Sequence, residues 1–249
     1  MTPTLPLPSL DWCVFLDVDG TLIELTNTPA HTISDLEIKA LLRDVAERLG
    51  GAVALVSGRR IHTLDQLFEP LRLPAAGLHG VERRKAGGEL QGATFVDSQL
   101  DGARVALKSL VAAHPGTLFE DKGRIVGVHF RTAPQFEQAI RHSIVDIARP
   151  LGSNYHIQGG DMLFEIKPRG FTKATAIKAF MKEPPFSGRL PVFLGDDLTD
   201  EDGFAIVEAY GGISIAVGDR VRAQFRLADV AAVRAWLRAI AALQDPHRA

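Results

Sequence analysis

Two carboxylates stand two positions apart at the end of an apolar run, within residues 15–21 of the chain. Because residues i and i+2 of a β-strand point to the same side, Asp17 and Asp19 could converge on one spot. Two close carboxylates repel each other unless a positive group lies between them, and a divalent cation with oxygen ligands is the simplest such group. An Asp-Gly turn after a strand is the alternative explanation for these residues taken alone.

A second acidic cluster, residues 195–202, also follows an apolar run directly. Loops at the carboxyl ends of strands surround the ligand crevice in open α/β sheets, so Asp196 is expected near Asp17 and Asp19. A carboxylate-rich oxygen site without His or Cys suits Mg²⁺. For Glu201 and Asp202, the preference for acidic residues in the first turn of a helix is a sufficient explanation.

Two more features could bind an anion. Ser57 and Gly58 follow a third apolar run and offer a hydroxyl and an unhindered backbone N–H at the start of a helix. Lys173 lies near the start of another predicted helix. Serine is also a common N-cap and a lone lysine is usually a solvated charge, so each signal alone is weak. Their combination with the two acidic clusters, in strand-end register, favours a common site.

The elements that must position these residues alternate between strand and helix in the first and last parts of the chain. Predicted strands cover residues 14–17, 52–56, 75–78, 192–195 and 213–217, and predicted helices cover 34–49, 61–68, 172–180, 202–208 and 230–243. A capping box of Ser34 and Glu37 is expected to begin the first helix. This order predicts an α/β fold with a parallel sheet covered by helices on both faces.

The middle of the chain breaks this rhythm. Two strand pairs are predicted there, residues 117–120 with 125–130 and residues 155–157 with 162–166, together with helices starting at 101 and spanning 134–148. Hairpins plus helices describe an antiparallel α+β unit inserted into the α/β one. We expect a core of residues 1–100 and 169–249 and an inserted domain of residues 101–168.

Composition narrows the function classes. The chain has 249 residues, 46% hydrophobic and 23% charged, and a net charge of −2, which gives no overall attraction to nucleic acid or anionic membranes. Cys13 is the single cysteine, so no internal disulfide can form. Residues 1–8 lack basic residues and contain prolines, and no run approaches the ~18 apolar residues of a membrane span. We expect a cytoplasmic protein, a monomer or weak homo-oligomer, without nucleic-acid or membrane partners.

Four ordered motifs resemble the haloacid dehalogenase superfamily of phosphotransferases. They are residues 17–21, Ser57, Lys173, and residues 195–197 with Asp200. This resemblance implies a Rossmann-like core with an inserted type C2 cap. Within the superfamily the chain is similar to the trehalose-6-phosphate phosphatase family at residues 55–59, 77–82, 120–122, 128–131 and 195–202. One departure is Lys173-Ala174, where members usually have Lys-Gly.

The resemblance implies roles for individual residues. Asp17 would be the nucleophile that forms an aspartyl phosphate, and Asp19 the general acid and then base. Mg²⁺ would be held by Asp17, Asp196 and the backbone carbonyl of Asp19. The phosphoryl oxygens would be bound by Thr21, Ser57, Gly58 and Lys173. Asp197 and Asp200 would orient Lys173 or metal-bound waters.

The inserted domain is expected to choose the sugar, with Lys122, His129, Arg131 and Glu165 as the candidate contacts. Alternating polar residues on the wet face of a half-covered sheet are the competing explanation. The basic run of residues 83–85 is expected on a solvated edge.

The resemblance implies Mg²⁺-dependent hydrolysis of trehalose 6-phosphate to trehalose and phosphate. A phosphatase for another sugar phosphate, such as sucrose phosphate, is the closest alternative. A phosphoacceptor signalling module is disfavoured by the length of the chain and by Asp19, and an inactive regulatory homologue by the complete set of motif residues.

Overall fold

The computed structural model describes residues 5–25, 35–92, 98–160 and 162–244. The chain divides into two compact units, one formed by Met1–Ala93 with Thr172–Ala249 and the other by Thr94–Phe171. We call them the core unit and the inserted unit. Their boundaries lie seven and three residues from those expected from the sequence, because apolar periodicity marks elements and not the loops between them.

The core unit contains an eight-stranded sheet. In spatial order its strands are β12 (Phe225–Leu227), β11 (Ile213–Val217), β10 (Leu190–Gly195), β1 (Trp12–Leu16), β2 (Val53–Val56), β3 (Ala75–Gly77), β4 (Glu82–Arg84) and β5 (Leu90–Gln91). Strands β12 to β3 pair in parallel, and β4 and β5 extend the sheet antiparallel. The fold is therefore α/β with a mainly parallel sheet, as the strand–helix order predicts.

Helices cover both faces of this sheet. They are α1 (Leu36–Arg48), α2 (Ile61–Phe68), α5 (Lys173–Phe180), α6 (Glu201–Ala209) and α7 (Val230–Ala241). Trp12 and Phe15 stand an odd number of residues apart on β1, so they point to opposite faces. Trp12 stacks on Trp236 of α7 with ring centroids 6.0 Å apart, whereas Phe15 lies 6.0 Å from Phe180 of α5.

Helix α1 begins differently from the expected capping box. Asp35 is the N-cap, and its side chain accepts a hydrogen bond of 2.8 Å from the N–H of Ile38. Ser34, the expected cap, lies outside the described residues. Asp and Ser are almost equally good caps, which explains why the helix can begin one residue later than expected.

The inserted unit is an antiparallel sheet with two helices. Its strands run in the order β6 (Leu118–Asp121), β7 (Val126–His129), β9 (Leu163–Pro168) and β8 (Tyr155–Gly160). Helices α3 (Asp101–Ala113) and α4 (Glu137–Ala148) contribute Leu107, Ile140 and Ile144 to one hydrophobic core with the apolar strand residues. Residues of opposite parity on these strands, including Glu120 and Glu165, point to the other face.

The expectation of a solvated edge for residues 83–85 is wrong for Arg84. Its side chain is buried, donates to the backbone carbonyl of Leu73 and pairs with Asp65 at 2.6 Å. A buried arginine of this kind cannot be told from an exposed one by sequence, because its partners come from another helix and loop.

In the part of the chain that the structure describes, we find no helix long and apolar enough to cross a membrane.

Candidate active site

Asp17 directly follows β1, the strand between β2 and β10. Its N–H donates to the carbonyl of Leu194 on β10 at 3.0 Å, which extends the parallel ladder by one residue. Lys173, the first residue of α5, donates from Nζ to Asp17 Oδ1 at 2.9 Å and to Asp200 Oδ1 at 2.6 Å. All three side chains are buried. The first and fourth motifs therefore meet at one lysine, as their positions after neighbouring strands predict.

Helix α5 starts where its lysine is needed. Thr172 is the N-cap and forms a capping box with Thr175, which fixes the first turn. The departure from Lys-Gly at position 174 does not displace the lysine from the helix start.

The carboxylates of this cluster outnumber the cations that contact them. Burial raises the pKa of Asp17 well above its usual range, and the nearby Asp200 and Asp196 raise it further against the opposing charge of Lys173. Burial and Asp197 likewise raise the pKa of Asp196. Burial alone would lower the pKa of Lys173, but Asp17 and Asp200 reverse that effect and hold the lysine protonated. Additional positive charge would relieve the repulsion among the carboxylates.

Three of these residues could hold a metal ion. Carboxylate oxygens of Asp17, Asp196 and Asp200 lie within 4.8 Å of one another. Asp200 is already occupied, because Oδ2 accepts the N–H groups of Asp196 and Asp197 at 3.1 Å and Oδ1 accepts Lys173. Asp17 uses only Oδ1 for Lys173, and Asp196 has the longer contacts, 3.3 Å from the Thr21 hydroxyl to Oδ1 and 3.7 Å from Arg220 to Oδ2. An all-oxygen donor set of this kind fits Mg²⁺.

Two glycines and a threonine shape this pocket of carboxylates. A Cβ on Gly20 would lie 2.3 Å from Asp196 Oδ2, and one on Gly195 would lie 2.2 Å from Asp200 Cγ. Close approach of the loops therefore requires glycine at both positions. The Thr21 hydroxyl, expected on a phosphoryl group, donates to Asp196 Oδ1 at 3.3 Å. Thr21 thus positions Asp196.

Asp197 has a local role in the turn that follows β10. Its Oδ1 accepts the N–H and the hydroxyl of Thr199 at 2.8 and 2.6 Å. These bonds and the charge of Lys173 outweigh burial and lower the pKa of Asp197. Asp200 contacts Lys173 directly, whereas Asp197 shapes the loop that carries Asp196 and Asp200.

Asp19 does not join the carboxylate cluster. Arg59 grips its carboxylate with two hydrogen bonds, Nε to Oδ2 at 2.7 Å and Nη2 to Oδ1 at 2.6 Å. In this structure the Asp17 and Asp19 side chains therefore do not converge on one spot: Asp17 contacts Lys173, whereas Asp19 contacts Arg59. Arg59 belongs to the motif that supplies Ser57, but no role was assigned to it from the sequence. Only the fold reveals that β1 and β2 are neighbours.

Ser57 and Gly58 lie at the carboxyl end of β2, beside the end of β1. The Ser57 hydroxyl is buried and accepts the N–H of Arg59 at 3.1 Å. His79, which the sequence analysis left without a role, packs over Gly58, where an added Cβ would meet its Nε2 at 2.8 Å. Its own N–H donates to the Ser57 carbonyl at 3.0 Å. Leu78 and His79 both have positive φ, so this loop is held in a left-handed turn against the serine.

In the inserted unit, charged residues line the sheet face opposite its hydrophobic core. Lys122 Nζ lies 2.7 Å from Glu165 Oε1 and 3.2 Å from Glu120 Oε2, and His129 Nε2 lies 2.7 Å from Glu120 Oε2. Strand register brings Glu120, Gly127 and Glu165 side by side, and Gly127 leaves room between the two glutamates. Three of the four predicted sugar contacts thus form one cluster.

Arg131, the fourth, is exposed and follows β7 by two residues. Glu120 and Lys167 on the same face were missed, although alternation along the strands points to both of them. Lys167 is buried and donates to Gln158 at 3.0 Å.

The parallel sheet with Asp17 and Asp196 at its strand ends, and with Lys173 at the start of α5, defines a haloacid dehalogenase-like α/β enzyme. The family model described as trehalose-phosphatase matches residues 15–229. The chain is 42% identical over 236 residues to the trehalose-6-phosphate phosphatase of Escherichia coli K12, covering 94% of this chain and 88% of that protein. It therefore belongs to the trehalose-phosphatase family, whose members are phosphoric monoester hydrolases.

Solved structures agree on the fold. The chain aligns with a trehalose-6-phosphate phosphatase related protein at a TM-score of 0.75 and 28% identity, covering 92% of this chain and 96% of that one. It aligns with the C-terminal domain of the Candida albicans trehalose-6-phosphate phosphatase at a TM-score of 0.80 and 20% identity, covering 98% and 99%. At that identity the second comparison supports the fold alone.

Proposed function

We propose that this enzyme hydrolyses trehalose 6-phosphate to trehalose and phosphate through a phosphorylated Asp17. Family membership and the identity to the E. coli protein support the substrate. The observation that carries the chemistry is Asp17 itself, a buried carboxylate paired with Lys173 at a strand end beside Asp196 and Ser57. Such a site suits phosphoryl transfer, in which positioning and charge stabilisation do most of the catalytic work.

In the first half-reaction, an Asp17 carboxylate oxygen attacks phosphorus as the bond from phosphorus to the sugar oxygen breaks. Asp19 gives its proton to that departing oxygen. The Lys173 ammonium, the Ser57 hydroxyl and the Gly58 N–H bind the oxygens of the transferring group, where charge stabilisation contributes most. Lys173 also stays bonded to Asp200, which fixes its position.

In the second half-reaction, water attacks the phosphorus of the aspartyl phosphate. Asp19, now a carboxylate, takes the proton from this water, and the bond from phosphorus to Asp17 breaks. Phosphate leaves and both aspartates return to their starting states. One group that acts first as acid and then as base explains why a second carboxylate is needed two residues after the nucleophile.

Mg²⁺ is the cofactor that the donor set fits. Asp17, Asp196 and the backbone carbonyl of Asp19 would hold it, with Thr21 positioning Asp196. When bound, Mg²⁺ would offset the negative charge that otherwise repels a phosphate from three buried carboxylates.

We assign recognition of the sugar to the charged face of the inserted unit, formed by Glu120, Lys122, His129 and Glu165. Sugar hydroxyls are both donors and acceptors, so alternating carboxylates and cations suit them. Arg131 remains a further candidate contact. The core residues named above are assigned to phosphate and metal, so the choice among sugars falls to the inserted unit.

Phosphate release with Mg²⁺ across a panel of sugar phosphates tests this assignment. We expect trehalose 6-phosphate to be hydrolysed with a kcat/KM at least ~100-fold above sucrose, glucose and other sugar phosphates, as loss of several hydrogen bonds predicts. Lys122→Met should raise KM for trehalose 6-phosphate and leave hydrolysis of a simple aryl phosphate unchanged. Equal rates across the panel would reject the substrate and retain the phosphatase.

A further inference from the structure

The bidentate ion pair between Asp19 and Arg59 has a consequence for catalysis. The Asp19 side chain is 32% exposed and that of Arg59 is 11% exposed. A partly solvated carboxylate is therefore paired with a mostly buried guanidinium. Both carboxylate oxygens accept hydrogen bonds, at 2.6 and 2.7 Å. Two parallel bonds fix the plane of a carboxylate as well as its position, which one bond from a lysine could not do.

Arg59 is itself held in place. Its N–H donates to the Ser57 hydroxyl at 3.1 Å, and its carbonyl accepts the N–H of Leu78 at 2.9 Å. A Cβ on Gly77 would lie 2.7 Å from the same carbonyl, so β3 closes tightly over the loop. The guanidinium therefore extends from a backbone fixed on two sides.

Different cations hold the two aspartates apart. Asp17 is bonded to Lys173, and Asp19 to Arg59. Without Arg59, Asp19 would be free to rotate, and the separation of nucleophile and proton donor would rest on repulsion alone. We propose that Arg59 is the positioning residue for Asp19. When Asp19 carries the proton for the first half-reaction, one of its oxygens still accepts from the guanidinium, and the other is oriented to give that proton to the departing sugar oxygen.

This inference rests on the proposed function, because it assigns a helper to its acid. A positioning role has a distinctive kinetic signature. A sugar alkoxide is a poor leaving group and needs a proton, whereas the phenolate of p-nitrophenyl phosphate departs without one. Loss of Asp19 positioning should therefore slow the first half-reaction of the sugar phosphate selectively, whereas the second half-reaction, in which Asp19 is the base, is the same for both substrates. Loss of a phosphate ligand would slow both substrates alike.

The experiment compares the single-turnover rate of leaving-group release, with enzyme in excess, for trehalose 6-phosphate and p-nitrophenyl phosphate in wild type, Arg59→Gln, Asp19→Asn and the double variant. We expect Arg59→Gln to lower this single-turnover rate for the sugar phosphate ~10- to 100-fold, the usual cost of losing an orienting partner, and to change that for the aryl substrate less than ~3-fold. The double variant should be no slower than Asp19→Asn, because both substitutions remove one function.

Arg60→Gln is the matched control. Arg60 is the next residue, with a side chain 43% exposed and a longer contact of 3.4 Å to Glu82, and this variant should behave as wild type. Arg59→Lys should fold as wild type, since it retains the positive charge, yet recover only part of the sugar-phosphate rate because it lacks the bidentate grip. Far-UV circular dichroism and melting temperature identify any variant that fails to fold.

Equal losses on both substrates, additive losses in the double variant, or wild-type rates in Arg59→Gln would each overturn the inference. If wild type prefers another sugar phosphate, the substrate assignment fails, and the Arg59 test is run unchanged on the preferred one. If wild type hydrolyses no sugar phosphate while cleaving the aryl ester, the proposed function fails and this inference with it.

Discussion

Lys173 in the core unit and Lys122 in the inserted unit are both held between two carboxylates, but the charge around them is balanced differently. Lys173 faces Asp17 and Asp200, with Asp196 adding a third buried carboxylate. Lys122 faces Glu165 and Glu120, and Glu120 also bonds to His129. The first cluster has an excess of negative charge, whereas in the second each carboxylate has a cationic or hydrogen-bonding side chain as its partner.

The pKa values follow this difference. In the core unit, burial and neighbouring carboxylates raise the pKa of Asp17 and Asp196. In the inserted unit, burial also raises the pKa of Glu120, but the hydrogen bond from His129 and the charge of Lys122 prevail and lower it to about 2. An unbalanced buried cluster suits a site that takes up a cation, and a balanced one suits recognition of neutral hydroxyls.

Matched lysine substitutions give the largest expected contrast. Lys173→Met leaves buried carboxylates without their cation and should lower the free energy of unfolding by ~3–5 kcal/mol in metal-free protein, besides abolishing turnover. Lys122→Met leaves one buried carboxylate, Glu165, because Glu120 keeps His129, and should cost roughly 1–3 kcal/mol. Urea unfolding of both variants measures the difference. A larger loss in Lys122→Met would break the comparison.

The next largest effect is the gain in stability on Mg²⁺ binding, which should depend on the core-unit cluster and not on the cluster of the inserted unit. At a concentration of about 100 times its dissociation constant, it should add ~2.7 kcal/mol of stability to the wild type by binding the native state. Asp196→Asn should lose this gain, while Lys122→Met should keep it. Thermal unfolding with EDTA and with Mg²⁺ tests both variants without reference to activity. A Mg²⁺ effect that survives in Asp196→Asn would place the ion elsewhere.

The smallest expected effect is on the pH dependence of the free energy of unfolding, which should have opposite signs in the two clusters. A carboxyl whose folded pKa is lowered stabilises the protein above its unfolded pKa, and Glu120 loses that contribution as pH falls from about 4.5 toward about 2. The stability gap between wild type and Glu120→Gln should therefore narrow on acidification. Asp17 has a raised pKa, so in metal-free protein it destabilises the fold as pH rises.

Urea unfolding from about pH 2 to neutral pH provides the measurement, because the Glu120 effect lies below its unfolded pKa and the Asp17 effect develops above 3.8. Relative to wild type, metal-free Asp17→Asn should gain stability as the pH rises, opposite in direction to Glu120→Gln. Curves that move in the same direction for the two variants would contradict the assigned balance of charge.

Much of the fold could be predicted because its elements are long and strongly patterned. The apolar run of β1 and the periodic helix α2 fall within two residues of their predicted limits. Strand β12 was missed, since the three residues Phe225–Leu227 carry too short an alternation to recognise. Parallel order then explains why Asp17, Ser57 and Asp196 follow adjacent strands.

The partners of each side chain could not be predicted in the same way. Arg59 reaches Asp19 across 40 positions, and Thr21 reaches Asp196 across 175. His79 lies beside Gly58 only because β3 pairs with β2 and the chain turns back through a left-handed loop. Such contacts depend on tertiary packing, which residue types and spacing do not encode locally.

Phosphate release by Asp17→Asn tests the central claim most directly. Asparagine keeps the size of the side chain but is a far poorer nucleophile, and Lys173 retains Asp200, so the variant should fold as wild type. With trehalose 6-phosphate and Mg²⁺, we predict no turnover above background in a variant whose circular dichroism matches that of the wild type. Release of phosphate at the wild-type rate would contradict Asp17 as the nucleophile and with it the assigned mechanism.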